Sequence, residues 1–348
     1  ITVFHMTGPV RMVEVLVTGG AGFIGSNFVR YTLKHSDDCH ITTLDKLTYA
    51  GRRENLHDVI DHPRHTFVQG DITDASVTKN LVEKATIVVH FAAETHVDRS
   101  IQAADDFIQT DVVGTFVLLE AARRAPNLNR FVQISTDEVY GSIAEGHSLE
   151  TDTLLPRNPY SASKAAADRL AYSYWATYNV PVIITRASNN YGPYQYPEKM
   201  IPLFATNAID HLKVPLYGDG HNIRDWLHVE DHCRALELLI DKGLNGQVYN
   251  IGGGNEITNI NLTHQILKEL HRPDSLIKPV SDRAGHDHRY ALNTNKLRNL
   301  SWSPQIPFNK GLHSTLEWYT KNEWWWRPIK EQDEKFRSYY KDQYERHQ

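Results

Sequence analysis

The chain has only two cysteines in 348 residues, Cys39 and Cys233, far apart and in no Cys-x-x-Cys or metal-like spacing. This excludes a Cys-x-x-Cys redox pair, a zinc ribbon and a disulfide-stapled scaffold, and it suits structural thiols in a reducing compartment. No apolar run approaches the roughly 20 residues a helix needs to span a bilayer, so no membrane partner is expected. Residues 1–11 lack the apolar core of a secretory signal and read as a leader ahead of the first strand. Cytoplasmic residence is the resulting expectation. The net charge is only −5 and no basic stripe interrupts it, which argues against nucleic acid as a partner. None of the 19 histidines falls in a His-Glu-x-x-His or similar ligand set, so no catalytic metal is expected.

What remains is a chain long enough for one large or two moderate domains. Short β-branched runs at 13–17, 41–44, 66–69, 87–91, 130–134 and 182–185 alternate with helical patterns at 23–34, 105–124 and 160–178. That alternation predicts an α/β fold, a doubly wound parallel sheet with helices on both faces. After Asn189 the texture breaks into turn-rich aromatic segments, which predicts a smaller C-terminal α/β substrate lobe. The expected division is a dinucleotide-binding domain over 12–190, rejoined by 224–252, and a lobe built from 191–223 and 253–330. Residues 1–11 and 331–348 read as extensions, the latter as a solvated or partly frayed helix. Trp324-Trp325-Trp326 is read as packing of the last helix.

Thr18-Gly19-Gly20-Ala21-Gly22-Phe23-Ile24-Gly25 joins the first strand to the first helix. Gly19 suits the tight turn, Gly22 a close backbone approach to a pyrophosphate, and Gly25 close helix–strand packing. Phe23 and Ile24 open the helix, whose free amides and positive dipole end attract phosphate. Asp45, followed by Lys46, ends the second strand, where a carboxylate accepts from a ribose 2′-hydroxyl and repels a 2′-phosphate. The cofactor expected is therefore NAD. Asp71 and Ile72 after the third strand can bracket an adenine, and Ala92 and Ala93 after the fourth leave room for the cofactor.

Ser135-Thr136-Asp137-Glu138 ends a buried strand, placing two adjacent carboxylates at the mouth of the sheet. Like charges in a closed site push one carboxyl upward, which would keep Asp137 as an acid beside a basic Glu138. Tyr160 and Lys164 lie one helical turn apart. Free tyrosine titrates near pH 10, but the lysine and an oxidised nicotinamide would both favour phenolate, making Tyr160 a base.

On these motifs, on His96 to Ser100, Ser188 to Gln195, Asn222 to Trp226 and Gly285 to Tyr290, the chain resembles the extended short-chain dehydrogenases/reductases. Within them it is similar to the dTDP-glucose 4,6-dehydratases of rhamnose-type deoxysugar biosynthesis, over about residues 12–326. The resemblance implies a Rossmann domain and a lyase that converts dTDP-glucose to dTDP-4-keto-6-deoxyglucose on tightly bound NAD. It implies that Tyr160 takes the C4 hydroxyl proton and Thr136 holds that oxygen, while C4 passes hydride to NAD. Glu138 would then remove the C5 proton, Asp137 would protonate the departing C6 hydroxyl, and the hydride would return to C6. Lys164 would also hold the nicotinamide ribose. His96, Asn190, Lys199, Arg224, Asn259, Arg283, His286 and Tyr290 match positions that hold the sugar, diphosphate or nucleoside. A homodimer is implied as well. Asp111 departs from the family's usual asparagine and cannot donate as an amide does; Ala187 and Ala284 replace a common cysteine and proline. A nucleotide-sugar 4-epimerase and a catalytically inactive dinucleotide-binding protein are the alternatives; Asp137-Glu138 speaks against the first, and the intact set Tyr160, Lys164, Asp137 and Glu138 against the second.

Overall fold

The computed structural model describes residues 12–344. Seven strands form one parallel sheet: β1 Val13–Thr18, β2 Cys39–Asp45, β3 His65–Gln69, β4 Ile87–His90, β5 Arg130–Thr136, β6 Val182–Ala187 and, returning late, β10 Val248–Ile251. Their order is β10-β6-β5-β4-β1-β2-β3. The chain thus starts in the middle and winds outward in both directions, so the strand order reverses between β1 and β4. Ligand crevices in such sheets open at the carboxyl ends around that reversal. The strands are Val- and Ile-rich because both faces are buried, as parallel sheets require. Val15, Val17, Ile41 and Val132 join Leu236 and Leu239 of helix Val229–Lys242 in one core layer. Leu16, Leu44, Val88 and Phe131 join Leu118 and Tyr174 in the opposite layer.

Helix Pro159–Tyr178 shows its sequence logic at both ends. Pro159 occupies the first turn, Asn158 and Ser161 form a reciprocal capping box, and Asn179 ends the helix in a left-handed conformation at φ 57°. The helical stretch expected as one piece over 105–124 is instead interrupted. A π-helical turn over Ile108–Gly114 separates residues 105–107 from helix Thr115–Ala122. The Thr115 hydroxyl donates back to the Asp111 carbonyl within this turn, and a side chain at Gly114 would clash with Ile72.

Two small sheets complete the fold. β7 Asn189–Tyr191, β9 Ile223–His228 and β11 Glu256–Thr258 form one, and β8 Val214–Tyr217 with β12 Ile277–Val280 the other. Within 224–252, the β9 segment therefore pairs in the small sheet, whereas β10 pairs with β6 in the large one. A second core of Tyr191, Phe204, Leu262, Leu316, Trp325 and Trp326 lies in this half, while Trp324 is exposed.

The tail expected as a solvated or partly frayed helix is a helix over its described part, exposed on its charged face and packed on the other. Helix Glu334–Tyr344 buries Phe336, Tyr339 and Tyr344 in that second core, because these aromatics share one helical face. The leader 1–11 and residues 345–348 lie outside the described residues. Among the described residues no helix is long and apolar enough to cross a membrane, no cluster of His, Cys, Asp or Glu could hold a metal ion, and both cysteines are free and buried.

Candidate active site

The glycine loop between β1 and helix Phe23–His35 is dictated by packing. Gly19 sits at φ 69°, and a Cβ there would lie 2.5 Å from the Ala92 amide nitrogen. A Cβ on Gly25 would strike the Gly19 carbonyl oxygen. No side chain caps this helix, and its first residues, Phe23, Ile24 and Gly25, line the cleft. Asp45 Oδ2 accepts from the Ala21 amide at 2.9 Å and Oδ1 from the Leu47 amide at 2.8 Å, which ties the end of β2 to the loop. Burial pushes the Asp45 carboxyl upward, against those two bonds. Lys46 and Asp71 form an ion pair at 2.7 Å at the outer end, next to Ile72. Gly19, Gly22, Phe23, Ile24, Gly25, Asp45, Lys46, Asp71, Ile72, Ala92 and Ala93 all line one cleft, whose inner end is formed by Thr136, Asp137, Glu138, Tyr160 and Lys164.

At that inner end β5 stops at Thr136, and the chain turns through a short 3-10 segment, Asp137–Tyr140. The Thr136 hydroxyl accepts from the Glu138 amide at 3.3 Å and donates to Asp137 Oδ1 at 3.1 Å. Asp137 Oδ2 is buried without a hydrogen-bond partner. The Asp137 carboxyl is raised well above the usual range. Burial is the main cause, ahead of the charges of Glu138 and Asp225. The sequence expectation assigned this to like-charge repulsion; desolvation comes first because the turn tucks Asp137 beneath the strand end. Burial also raises Glu138, opposed by Arg224, Arg283 and Lys199.

Lys164 donates to the Ile134 carbonyl oxygen at 2.7 Å, and burial lowers its pKa. Tyr160 packs edge-on to Phe107, with ring centroids 6.2 Å apart. Burial raises the phenol, and the charges of Glu138 and Asp111 raise it further. The expectation of phenolate rests on Lys164 and an oxidised nicotinamide; burial and the neighbouring carboxylates act on the phenol in the opposite direction.

A second cavity continues from the first, and Glu138, Asn190 and Lys199 border both. His96, Asn190, Lys199, Arg224, Asn259, Arg283, His286 and Tyr290 all line it. Arg224 is held by backbone: Nη2 donates to the Asp287 carbonyl at 2.9 Å and Nη1 to the Ile223 carbonyl at 2.7 Å, with the guanidinium 4.5 Å above the Tyr290 ring. The Tyr290 hydroxyl donates to Asp287 Oδ2 at 2.6 Å. Lys199 donates to the Thr95 carbonyl at 2.9 Å, and the Asn190 amide to the Ser188 carbonyl at 2.9 Å. Arg283 pairs with Asp98 at 2.6 Å and His286 with Asp282 at 2.6 Å. Cationic side chains with fixed geometry around such a cavity suit a diphosphate.

The profile of the family described as GDP-mannose 4,6 dehydratase matches residues 16–315. The chain belongs to this family. A dTDP-glucose 4,6-dehydratase of Streptomyces niveus is 53% identical over 326 residues, covering 92% of this chain and 97% of the relative. A low-salt glycan biosynthesis protein of Haloferax volcanii is 52% identical, covering 88% of this chain and 98% of its own. Among solved structures, the dTDP-glucose 4,6-dehydratase DesIV of Streptomyces venezuelae, crystallised with NAD, superposes with a TM-score of 0.89 at 49% identity, over 91% of this chain and all (100%) of that one.

Within this 4,6-dehydratase framework the site includes residues that sequence reasoning passed over. Glu94 lines the cleft, and burial, then Asp111 and Asp106, push its carboxyl to about 7. Glu198, Tyr49 and Gln195 line it too, with Glu198 paired to Arg99 at 2.9 Å. Glu94 stands two residues before His96, so its position after β4 was the available signal. For Tyr217 and Tyr344 in the second cavity the linear sequence held none. Asp111, flagged for losing a donor, acts here as an acceptor: Oδ1 takes the Glu94 amide at 2.8 Å.

Proposed function

We propose that this chain is an NAD-dependent dTDP-glucose 4,6-dehydratase, a hydro-lyase that converts dTDP-glucose to dTDP-4-keto-6-deoxyglucose with loss of water. The observation that carries the reading is Glu138. It borders the cofactor cleft and the second cavity at once, beside an Asp137 whose carboxyl burial raises. An adjacent base and acid suit removal of water across two neighbouring carbons. A 4-epimerase has no use for them.

The residues of the first cleft fit NAD: the turn at Gly19 leaves no room for a side chain, the helix start is uncapped, and a carboxylate stands at Asp45. The loop Gly19 to Gly25 would hold the pyrophosphate, Asp45 the adenosine ribose, Asp71 and Ile72 the adenine, and Lys164 the nicotinamide ribose. When bound, NAD supplies a hydride acceptor that can give the hydride back.

The chain's own residues divide the proton traffic. Tyr160 takes the proton of the C4 hydroxyl while Thr136 holds that oxygen. Glu138 removes the C5 proton, which a carbonyl at C4 acidifies. Asp137 gives its proton to the departing C6 hydroxyl. Because burial and two carboxylates keep Tyr160 protonated, it becomes a base only with a cationic ligand beside it and Lys164 one turn away. Arg224 and Arg283 would clamp the diphosphate, and His96, Asn190, Lys199, Asn259, His286 and Tyr290 the sugar and nucleoside.

The reading includes a cytoplasmic homodimer joined through helices Thr115–Ala122 and Pro159–Tyr178, which expose Phe116 and Tyr172. A monomer by sedimentation would remove the dimer from the account. The test of the function is mass spectrometry of the sugar nucleotide after incubation of the purified chain with dTDP-glucose or UDP-glucose, without added NAD. Loss of one water from the dTDP sugar supports the reading. An unchanged mass with galactose formed, even after NAD is added, overturns it in favour of epimerisation.

A further inference from the structure

Helix Val229–Lys242 begins where β9 ends, and β7 pairs alongside β9 with Asn190 opposite Leu227. That register brings His232, in the first turn of the helix, against the Asn190 side chain. His232 Nδ1 lies 3.0 Å from Asn190 Oδ1. The His232 ring is buried, at 0% exposure, and it lines the cofactor cleft, which Asn190 also borders. Its second nitrogen, Nε2, is buried with no hydrogen-bond partner. No proton-transfer step uses this ring.

The neighbours decide which nitrogen carries the proton. Asn190 Nδ2 donates to the Ser188 carbonyl at 2.9 Å, and because a carbonyl only accepts, the amide oxygen is the end that faces His232. That oxygen also only accepts, so the imidazole donates to it from Nδ1. Burial alone pushes the His232 imidazole down to about 3, which favours the neutral ring with that single proton. Nε2 is then a bare acceptor. Asn190 is held at a further point, since its backbone carbonyl accepts from Gln195 Nε2 at 2.9 Å. Cys233 and Leu236 of the same helix belong to the apolar core. An apolar ring at 232 would serve that packing, whereas a buried acceptor without a partner costs stability. A ligand that donates to Nε2 removes the cost, and NAD carries such donors in its carboxamide and ribose hydroxyls.

We infer that His232 belongs to the cofactor site: through Nδ1 it is a positioning residue for Asn190, and through Nε2 it accepts a hydrogen bond from an N–H or O–H group of NAD. The inference rests on the dehydratase reading for the identity of that ligand. It concerns how the cofactor is held and adds no proton-transfer step.

The experiment compares the holoenzyme with His232→Asn, His232→Gln and His232→Phe. An asparagine amide nitrogen can stand where Nδ1 does, so His232→Asn keeps the donor to Asn190 and removes the acceptor. A glutamine amide reaches the Nε2 position instead and gives up the hold on Asn190, and phenylalanine removes both. The readouts are the rate at which bound NAD exchanges with isotope-labelled NAD, followed by mass spectrometry, the KM for dTDP-glucose, and Tm. Each amide variant loses one hydrogen bond and should exchange NAD about fivefold to tenfold faster than the intact chain, and His232→Phe about 30-fold faster or more. Because Asn190 borders the second cavity as well, His232→Gln and His232→Phe should raise KM, while His232→Asn restores it. An exchange rate in His232→Asn equal to that of the intact chain overturns Nε2 as an acceptor for NAD. Unchanged exchange and KM in His232→Gln and His232→Phe overturn the positioning of Asn190, even where Tm falls. An intact chain that binds no NAD overturns the whole inference. Failure of the dehydratase reading shows separately, as NAD held and exchanged at these rates with dTDP-glucose not turned over. If His232→Phe does not fold, the two amide variants decide.

Discussion

The Ser163 hydroxyl donates to Asp111 Oδ2 at 2.5 Å, one residue before Lys164 on the helix that carries Tyr160. With its other oxygen on the Glu94 amide, Asp111 ties the interrupted helix at 108–114 to the end of β4 and to the Tyr160 helix. Burial pushes its carboxyl to about 6, although Lys164, Ser163 and the Glu94 amide pull the other way. The folded value stands above the ordinary 3.8, so its contribution to stability is full below that value and is lost as pH rises through about 6. Asp111→Asn should therefore raise stability near pH 7.5 by about 1–3 kcal/mol. The gain should shrink toward pH 4. Thermal unfolding across that range checks this; an equal shift at both ends would contradict it.

Glu138→Gln keeps shape and loses the base. NAD and dTDP-glucose should still bind, while exchange of the C5 hydrogen with deuterated solvent should fall by about 100-fold or more. Deuterium incorporated at C5 at the normal rate would sink the assignment of Glu138.

Tyr160→Phe removes the hydroxyl proposed to take the C4 proton. Reduction of the bound cofactor on adding dTDP-glucose, followed by near-ultraviolet absorbance, should be abolished. Undiminished reduction would count against Tyr160 as the base.

Arg186 and Asp168 form a fully buried pair at 2.8 Å between β6 and the Tyr160 helix, and Arg186 also donates to the Tyr140 hydroxyl at 2.7 Å. Arg186→Ala leaves Asp168 with only Arg169, which is half exposed. Denaturant unfolding should show a loss of about 3 kcal/mol, near the lower end for breaking a buried pair. A change well under 1 kcal/mol would mean the pair contributes little.

The parts of this molecule legible in its sequence are those set by local chemistry. Val and Ile runs announce buried parallel strands, and the spacing of Gly19 and Gly25 announces a turn whose backbone leaves no space for side chains. Asp45 follows from its place at the end of β2. What could not be read depends on tertiary placement. The π-helical turn at Ile108–Gly114 carries weak helix formers (Thr110, Asp111, Val112, Val113 and Gly114), but which kind of turn they adopt is set by tertiary contacts of Thr115, Gly114 and their neighbours. The charged tail masked the apolar face of Phe336, Tyr339 and Tyr344, since charge on one side of a helix says nothing about the other. At Asp137 the neighbour's charge was visible in the dipeptide, but the larger effect of burial was not.

In the proposed reaction one site oxidises C4, eliminates water across C5 and C6, and returns the same hydride to C6. The most direct measurement follows dTDP-glucose carrying deuterium at C4 through a single incubation with the intact chain, with the product read by mass spectrometry and NMR. The account predicts a product lighter by one water with the deuterium on the C6 methyl group. Deuterium retained at C4, in a sugar that has lost no water, would contradict it.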